Sequence, residues 1–204
     1  MSSPRMILLS PGHGSDTPGK RSPKFEDGIQ LKEWEFNRFL VRKIAEGLSE
    51  AGIRYMLLDT GATDVSLKGR VAVANTFGLN ALYISIHGNA SGNGTKWMKA
   101  KGWSIYTSKG QTKSDPIAQV FIEKAEEILP TVGMKVRKYS TKPNEGDYEE
   151  NFYVLKNTLM PAVLTENGFY DNLEDCKIMM SEKGLEALAK VHVEAIKEIL
   201  KRGL

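Results

Sequence analysis

Three apolar runs along this chain break on the same plan. Met6 to Gly14 (Met-Ile-Leu-Leu-Ser-Pro-Gly-His-Gly) stops at Pro11-Gly12 and presents His13. Leu82 to Asn89 (Leu-Tyr-Ile-Ser-Ile-His-Gly-Asn) stops at Gly88-Asn89 and presents His87. Pro161 to Phe169 (Pro-Ala-Val-Leu-Thr-Glu-Asn-Gly-Phe) presents Glu166 and breaks at Gly168. Short apolar runs rich in β-branched residues and bounded by Gly or Pro read as buried strands. In an open α/β sheet, ligands bind in the crevice outside the carboxyl ends of the strands. Three strands ending in His, His and Glu therefore predict one site built from three distant parts of the chain.

Between these runs the apolar period changes to that of helices. A helix is predicted from about Gln30 to Ser49, ended by Gly52, and Ile53 to Asp59 reads as a second strand. Asp64 or Ser66 can cap a helix carrying Val71, Ala72 and Ala74. Trp103 to Ser108 reads as a short strand, and Asp115-Pro116 as an N-cap followed by an N1 proline, opening a helix to about Leu129. Gly133 to Tyr139 reads as a further strand, and Phe152 to Leu155 as short and extended. Two helices, about Leu173 to Met180 and Glu182 to Lys201, close the chain. The polar loops Ser91–Gly102 and Thr141–Asn151 are expected to wall a groove, because loops at strand ends carry specificity. Alternating strands and helices predict an α/β fold: a twisted, mostly parallel sheet of about six strands with helices on both faces. No linker or internal repeat divides the chain, so residues 1–204 are expected to form a single domain.

Composition narrows the chemistry. Apolar residues make up 41% and charged residues 26%, as in ordinary globular proteins. No run of about 18 apolar residues exists, so no membrane span is expected. The net charge of +3 is small and scattered, which argues against a nucleic-acid partner. The first five residues lead straight into a strand, leaving no room for a signal peptide. The expectation is a protein made in the cytoplasm and released, or one whose leader was removed. Nothing in the pattern signals an oligomer, so a monomer is expected. The lone cysteine, Cys176, excludes an internal disulfide and a Cys-based metal site, so any metal must take His and carboxylate ligands.

The chain holds three histidines. His192 shares a helical stripe with Leu185, Leu188, Ile196 and Ile199 and reads as a core residue. His13 and His87 each follow an apolar strand beside glycine. Zinc in hydrolytic sites takes three protein ligands, His₂Glu among them, and leaves a fourth position to water. In the helix after the first strand, Glu33 and Glu35 compete for the third place. Leu40, Ile44 and Asn37 fall within roughly 40° of Glu33, whereas Glu35 lies roughly 200° away on the solvated face. A carboxylate facing the core needs a partner; a cation or an arginine such as Arg70 would each serve. Glu166 then remains as a proton-transfer group, or as a carboxylate that caps a loop.

These residues fall within a set of motifs that occurs in order: Ser-Pro-Gly-His-Gly, Glu33-x-x-x-Asn37, Ser66-Leu67-x-x-Arg70-x-x-x-Ala74-Asn75, Ser85-Ile86-His87-Gly88-Asn89-Ala90 and Pro161 to Phe169. The set resembles the zinc-dependent N-acetylmuramoyl-L-alanine amidases of the amidase_3 type, found in bacterial autolysins and phage endolysins. The resemblance runs from about Met6 to Leu200. It implies Zn²⁺ on His13, Glu33 and His87, Glu166 as the catalytic carboxylate, and peptidoglycan of the bacterial cell wall as substrate. The bond cut would be the amide between the lactyl group of N-acetylmuramic acid and L-alanine of the stem peptide. Where many members carry Ala after the second histidine, this chain has Gly88. No cell-wall-binding module is seen. Asn89 and Asn167 are read as turn residues beside the site, and Trp97 or Trp103 as candidates to stack on substrate. Two rival readings share these features: another zinc-dependent peptidase or deacylase, and a catalytically degenerate module that binds peptidoglycan without cutting it.

Overall fold

The computed structural model describes residue 4 and residues 6–139 and 146–204. Six strands, β1 (Met6–Pro11), β2 (Tyr55–Leu57), β3 (Ala81–Asn89), β4 (Trp103–Thr107), β5 (Tyr148–Glu149) and β6 (Ala162–Phe169), form one sheet in the order β2-β1-β3-β6-β4-β5. The first four in that order run parallel. β4 is antiparallel to β6, and the two-residue β5 lies parallel to β4 at the edge. The expected mostly parallel α/β sheet is observed.

Alternation along each strand divides the core in two. Ile7, Leu9, Leu82, Ile84, Ile86, Ile105 and Val163 face the larger layer. There they meet α1 (Glu33–Glu50), α3 (Asp115–Ile128) and α6 (Glu182–Arg202). Leu8, Ala81, Tyr83, Ala162 and Leu164 point the other way, toward α2 (Leu67–Asn75) and α4 (Tyr153–Asn157). α5 (Leu173–Met180) packs beside α6 and buries Cys176. Helix starts are chemically marked. Ser66 Oγ accepts from Gly69 N–H, Asn172 Oδ1 from Glu174 and Asp175, and Ser181 Oγ from Gly184. Among the described residues, no helix is long and apolar enough to cross a membrane.

Several elements differ from the sequence reading. α1 begins at Glu33, because the preceding backbone is used elsewhere: Lys32 bridges Arg21, and Ser22 N–H donates to Leu31. β2 keeps three residues of the expected seven. Gly133 to Tyr139 forms a single bridge, Val136 to Trp103, rather than a strand. Phe152 to Leu155 is not extended: α4 covers Tyr153–Asn157, and a helical turn buries both neighbouring residues Val154 and Leu155. The N-cap of α3 is Ser114, not Asp115; the Asp115 carboxylate turns back to accept from Thr112 N–H and Oγ1–H. Of the expected loop Thr141–Asn151, residues 141–145 lie outside the described residues, and Tyr148–Glu149 pair as β5.

Candidate metal centre

The site sits where the parallel strands end. His87, near the end of β3, is the register partner of Glu166 on β6, so both side chains leave the same face of the sheet. Pro11, at the end of β1, registers with Ile86, and the chain then turns through Gly12 to His13. Glu33 enters from the first turn of α1, whose dipole favours a carboxylate there. One donor atom from each of His13, Glu33 and His87 lies within 4.8 Å of the others. Glu33 is 1% exposed and Glu35 39%, as the helical period requires. The alternative partner for Glu33 is engaged elsewhere: Arg70 pairs with Asp59 and Asp64, each at 2.9 Å.

The triad fits a metal ion on its own chemistry. Glu33 Oε1 lies 3.2 Å from His87 Nδ1 and 3.4 Å from His13 Nε2, and accepts from Gly88 N–H. Its Oε2 is buried with no hydrogen-bond partner, and the Lys20 ammonium stands 4.0 Å away. A buried carboxylate oxygen without a donor is costly unless a cation compensates it. Burial would raise the Glu33 pKa; the His87 hydrogen bond and the charges of His87, His13 and Lys20 outweigh it and hold the carboxyl below its usual range. Burial takes the His13 imidazole down to about 4, with Glu33 opposing and His87 adding to the shift. Near neutral pH, then, His13 offers a lone pair and Glu33 a negative charge, as metal ligands must.

The backbone that carries His13 is pinned carbonyl by carbonyl. Pro11 O accepts from Arg70 Nη1 at 2.7 Å, Gly12 O from Asn37 Nδ2 at 3.1 Å, and His13 O from Arg38 Nη1 at 2.9 Å. His13 itself adopts φ 61°, a left-handed conformation that costs an L-residue about 1–2 kcal/mol. The flanking glycines are required by contact. A Cβ at Gly12 would sit 2.1 Å from Cε1 of His87, and one at Gly14 would sit 2.1 Å from the backbone nitrogen of Asp64. Gly14 N–H donates to Thr17 Oγ1, whose hydroxyl donates to Asp64.

Glu166 stands apart from the triad. Its Oε2 is fully enclosed and has no hydrogen-bond partner. Burial first, and then the nearby Glu33 charge, push its carboxyl well above the usual range. His13, His87 and Glu166 line two cavities. One, of about 510 Å³, is walled by Asp64, Val65, Leu67, Phe152, Tyr153 and Leu164. The other, of about 300 Å³, is more polar and includes Lys20, Asn89, Gly92 and Tyr170. The larger cavity is thus walled by the start of α2 and by α4, not by the Ser91–Gly102 loop, which reaches only the smaller one.

The two tryptophan candidates differ in exposure, Trp103 being buried and Trp97 half-buried. Trp103 is fully buried and donates through Nε1 to Asn167, and Trp97 packs on Phe25 at 5.0 Å. Asn167 is not a turn residue: it is buried within β6 and donates through Nδ2 to the backbone oxygen of His87. His192 is a core residue as expected, bonded to Leu188 O and Thr165 Oγ1. Sequence reasoning passed over Arg38, whose carbonyl partners have no signature in the sequence.

Two imidazoles and a carboxylate converging at the carboxyl ends of parallel strands, with a second carboxylate beside them, define a candidate mononuclear hydrolytic metal centre on an α/β sheet. The family model Amidase_3, N-acetylmuramoyl-L-alanine amidase, matches residues 7–198, and the chain belongs to that family. It is 30% identical over 190 residues to N-acetylmuramoyl-L-alanine amidase CwlM of Bacillus licheniformis, covering 93% of this chain and 66% of that protein. An endolysin of Bacillus phage SPP1 is 29% identical over 197 residues, with 96% of this chain and 66% of that protein covered. The chain therefore spans just under two thirds of the length of these relatives. Among solved structures, an N-acetylmuramoyl-L-alanine amidase from Clostridium difficile 630 superposes with TM-score 0.79 at 27% identity, covering 98% of both chains. The catalytic domain of the amidase CwlV from Bacillus (Paenibacillus) polymyxa superposes with TM-score 0.76 at 25% identity, covering 98% of this chain and 99% of that one.

Proposed function

We propose that this chain is a peptidoglycan hydrolase that cleaves the amide joining the lactyl group of N-acetylmuramic acid to L-alanine of the stem peptide. In this reading His13, Glu33 and His87 hold one Zn²⁺, and Glu166 transfers the proton. The observation that carries it is the convergence of three donor atoms within 4.8 Å at the strand ends of a member of this family. Two imidazole nitrogens and one carboxylate are a donor set that suits zinc and leaves a position for water. A zinc ion there supplies Lewis acidity to the scissile carbonyl and acidifies a water molecule.

The chain's own groups do the rest. Glu33 is fixed by Gly88 N–H and by α1, so its charge is in place before substrate arrives. Asn167 holds the peptide of His87, and the Asn37, Arg38 and Arg70 bonds hold that of His13. The Glu166 carboxylate, which lines both cavities, accepts the proton of the attacking water and returns it to the departing alanine nitrogen. A half-buried carboxyl beside a negative charge retains a proton more readily than one in water, which suits the second half of that transfer. Leu67, Phe152 and Tyr153 give the larger cavity an apolar wall for the uncharged parts of the substrate.

The test is product analysis on purified cell walls. The proposal expects new L-alanine amino termini with glycan chains intact, and loss of both activity and metal on chelation. Release of a different amine, or of reducing sugar ends, would overturn it. The site of action implied is the bacterial cell wall.

A further inference from the structure

We infer that Arg38 is a positioning residue for the metal centre: it holds the left-handed turn at His13 and so sets the affinity of the triad for its ion. The inference rests on the reading of the triad as a metal site. Arg38 lies on α1, five residues beyond Glu33, and is 6% exposed. Its five hydrogen bonds all run to backbone carbonyls: His13 at 2.9 Å, Trp34 at 3.1 Å, Asp59 at 3.3 Å, and Gly61 at 2.6 and 2.9 Å. A buried guanidinium spent on carbonyls is unusual, because such a charge ordinarily takes a carboxylate.

The identity of two of those carbonyls carries the inference. Among the described residues, two non-glycine positions have positive φ, His13 at 61° and Asp59 at 55°. The carbonyl oxygens of both accept from the Arg38 guanidinium. One guanidinium thus fixes the two strained turns, that after β1 and that after β2. Asn37 and Arg70 hold the carbonyls of Gly12 and Pro11, whereas Arg38 bonds the carbonyl of the ligand residue itself. Without it His13 can relax to negative φ, which rotates its Cβ and carries the imidazole away from Glu33 and His87. Asp59 and Gly61 lead into Asp64–Leu67, one wall of the larger cavity, so the same bonds tie the ligand turn to the substrate wall.

The experiment measures the Zn²⁺ dissociation constant by chelator competition, on metal-stripped protein, for the parent, Arg38→Met, Arg38→Lys and Arg42→Met. Arg38→Met keeps an unbranched side chain and removes the donors, together with the guanidinium's contact over the Trp34 ring. Arg42 is exposed over the Phe39 ring and serves as control. Circular dichroism and thermal midpoints of the stripped proteins report the fold. The expected result is a Kd raised about tenfold or more in Arg38→Met, less in Arg38→Lys, and unchanged in Arg42→Met. A fifth protein, Arg38→Ala, leaves room for a free guanidinium ion, and millimolar guanidinium should restore part of its affinity, a rescue that a general loss of packing would not give. A parent-like Kd in Arg38→Met overturns the inference; if that variant does not fold, a parent-like Kd in Arg38→Lys does so. A parent chain with no Zn²⁺ affinity overturns the reading of the triad and the inference with it.

Discussion

Gly12→Ala isolates the centre from the fold that carries it. An added Cβ would meet His87 Cε1 at 2.1 Å, Nδ1 at 2.4 Å and Nε2 at 2.5 Å. Ordinary carbon contacts lie near 3.5–4.0 Å, so the ring must retreat by about 1.5 Å. It can do so without unfolding the sheet, because the imidazole is 18% exposed and borders open cavities. Zinc–nitrogen bonds are about 2.0–2.1 Å long, so a displacement of that size removes His87 as a ligand. Overpacking of this kind costs about 1–3 kcal/mol, and 1.4 kcal/mol is tenfold in affinity. The expected loss of Zn²⁺ affinity is therefore about 5- to 150-fold, with the thermal midpoint of the metal-stripped protein within a few degrees of the parent. Gly14→Ala should behave oppositely. There the new atom meets the Asp64 backbone at 2.1–2.6 Å, which cannot swing aside, so the stripped protein itself should be destabilised. Chelator competition and thermal melts on both variants supply the check. Parent-like zinc affinity in Gly12→Ala, or an unfolded Gly12→Ala beside a stable Gly14→Ala, would refute the reasoning.

Further outcomes follow from the same geometry. Glu166→Gln should lower kcat about 10²–10⁴-fold while leaving zinc stoichiometry and thermal stability near those of the parent, as read by turnover on purified walls and metal analysis. Chelation should abolish turnover yet leave the circular dichroism spectrum largely intact, since the sheet and both core layers do not depend on the ion; added Zn²⁺ should restore activity. His192 is buried and neutral, with burial taking its pKa from 6.5 to about 4. The unfolded chain therefore binds this proton first as pH falls, and stability should decline from about pH 6.5 toward pH 4. Denaturant midpoints across that range should slope less in His192→Asn than in the parent. An equal slope would remove His192 as the cause.

The fold was legible wherever burial imposed a period. The runs ending at His13, His87 and Glu166 could only be satisfied in the middle of a covered sheet, and they became β1, β3 and β6. The 3.6-residue stripe separated Glu33 from Glu35, because one face of α1 must meet the core. Short edge elements gave no such constraint. Tyr153–Asn157 is too brief to show a helical period, and the stretch around Val136 bonds to the single residue Trp103. What supports the candidate site was less visible for a different reason. Arg38 lies roughly 140° from Glu33 around α1, off the apolar stripe, and its partners are carbonyls that any residue would supply. The need for Gly12 comes from a ring 75 positions later in the chain, a close approach that exists only once β1 and β3 pair. Asn167 reads from sequence as a turn residue after a strand end, yet it lies within β6 and donates to the His87 carbonyl.

X-ray absorption at the zinc edge on the purified chain, parent beside Glu166→Gln, reads the proposed metal centre without intermediaries. The expected result is one zinc per chain with two imidazole nitrogens and one protein carboxylate oxygen around it, and the same spectrum in Glu166→Gln. A chain that takes up no zinc, or a coordination sphere that changes when Glu166 is replaced, would contradict it.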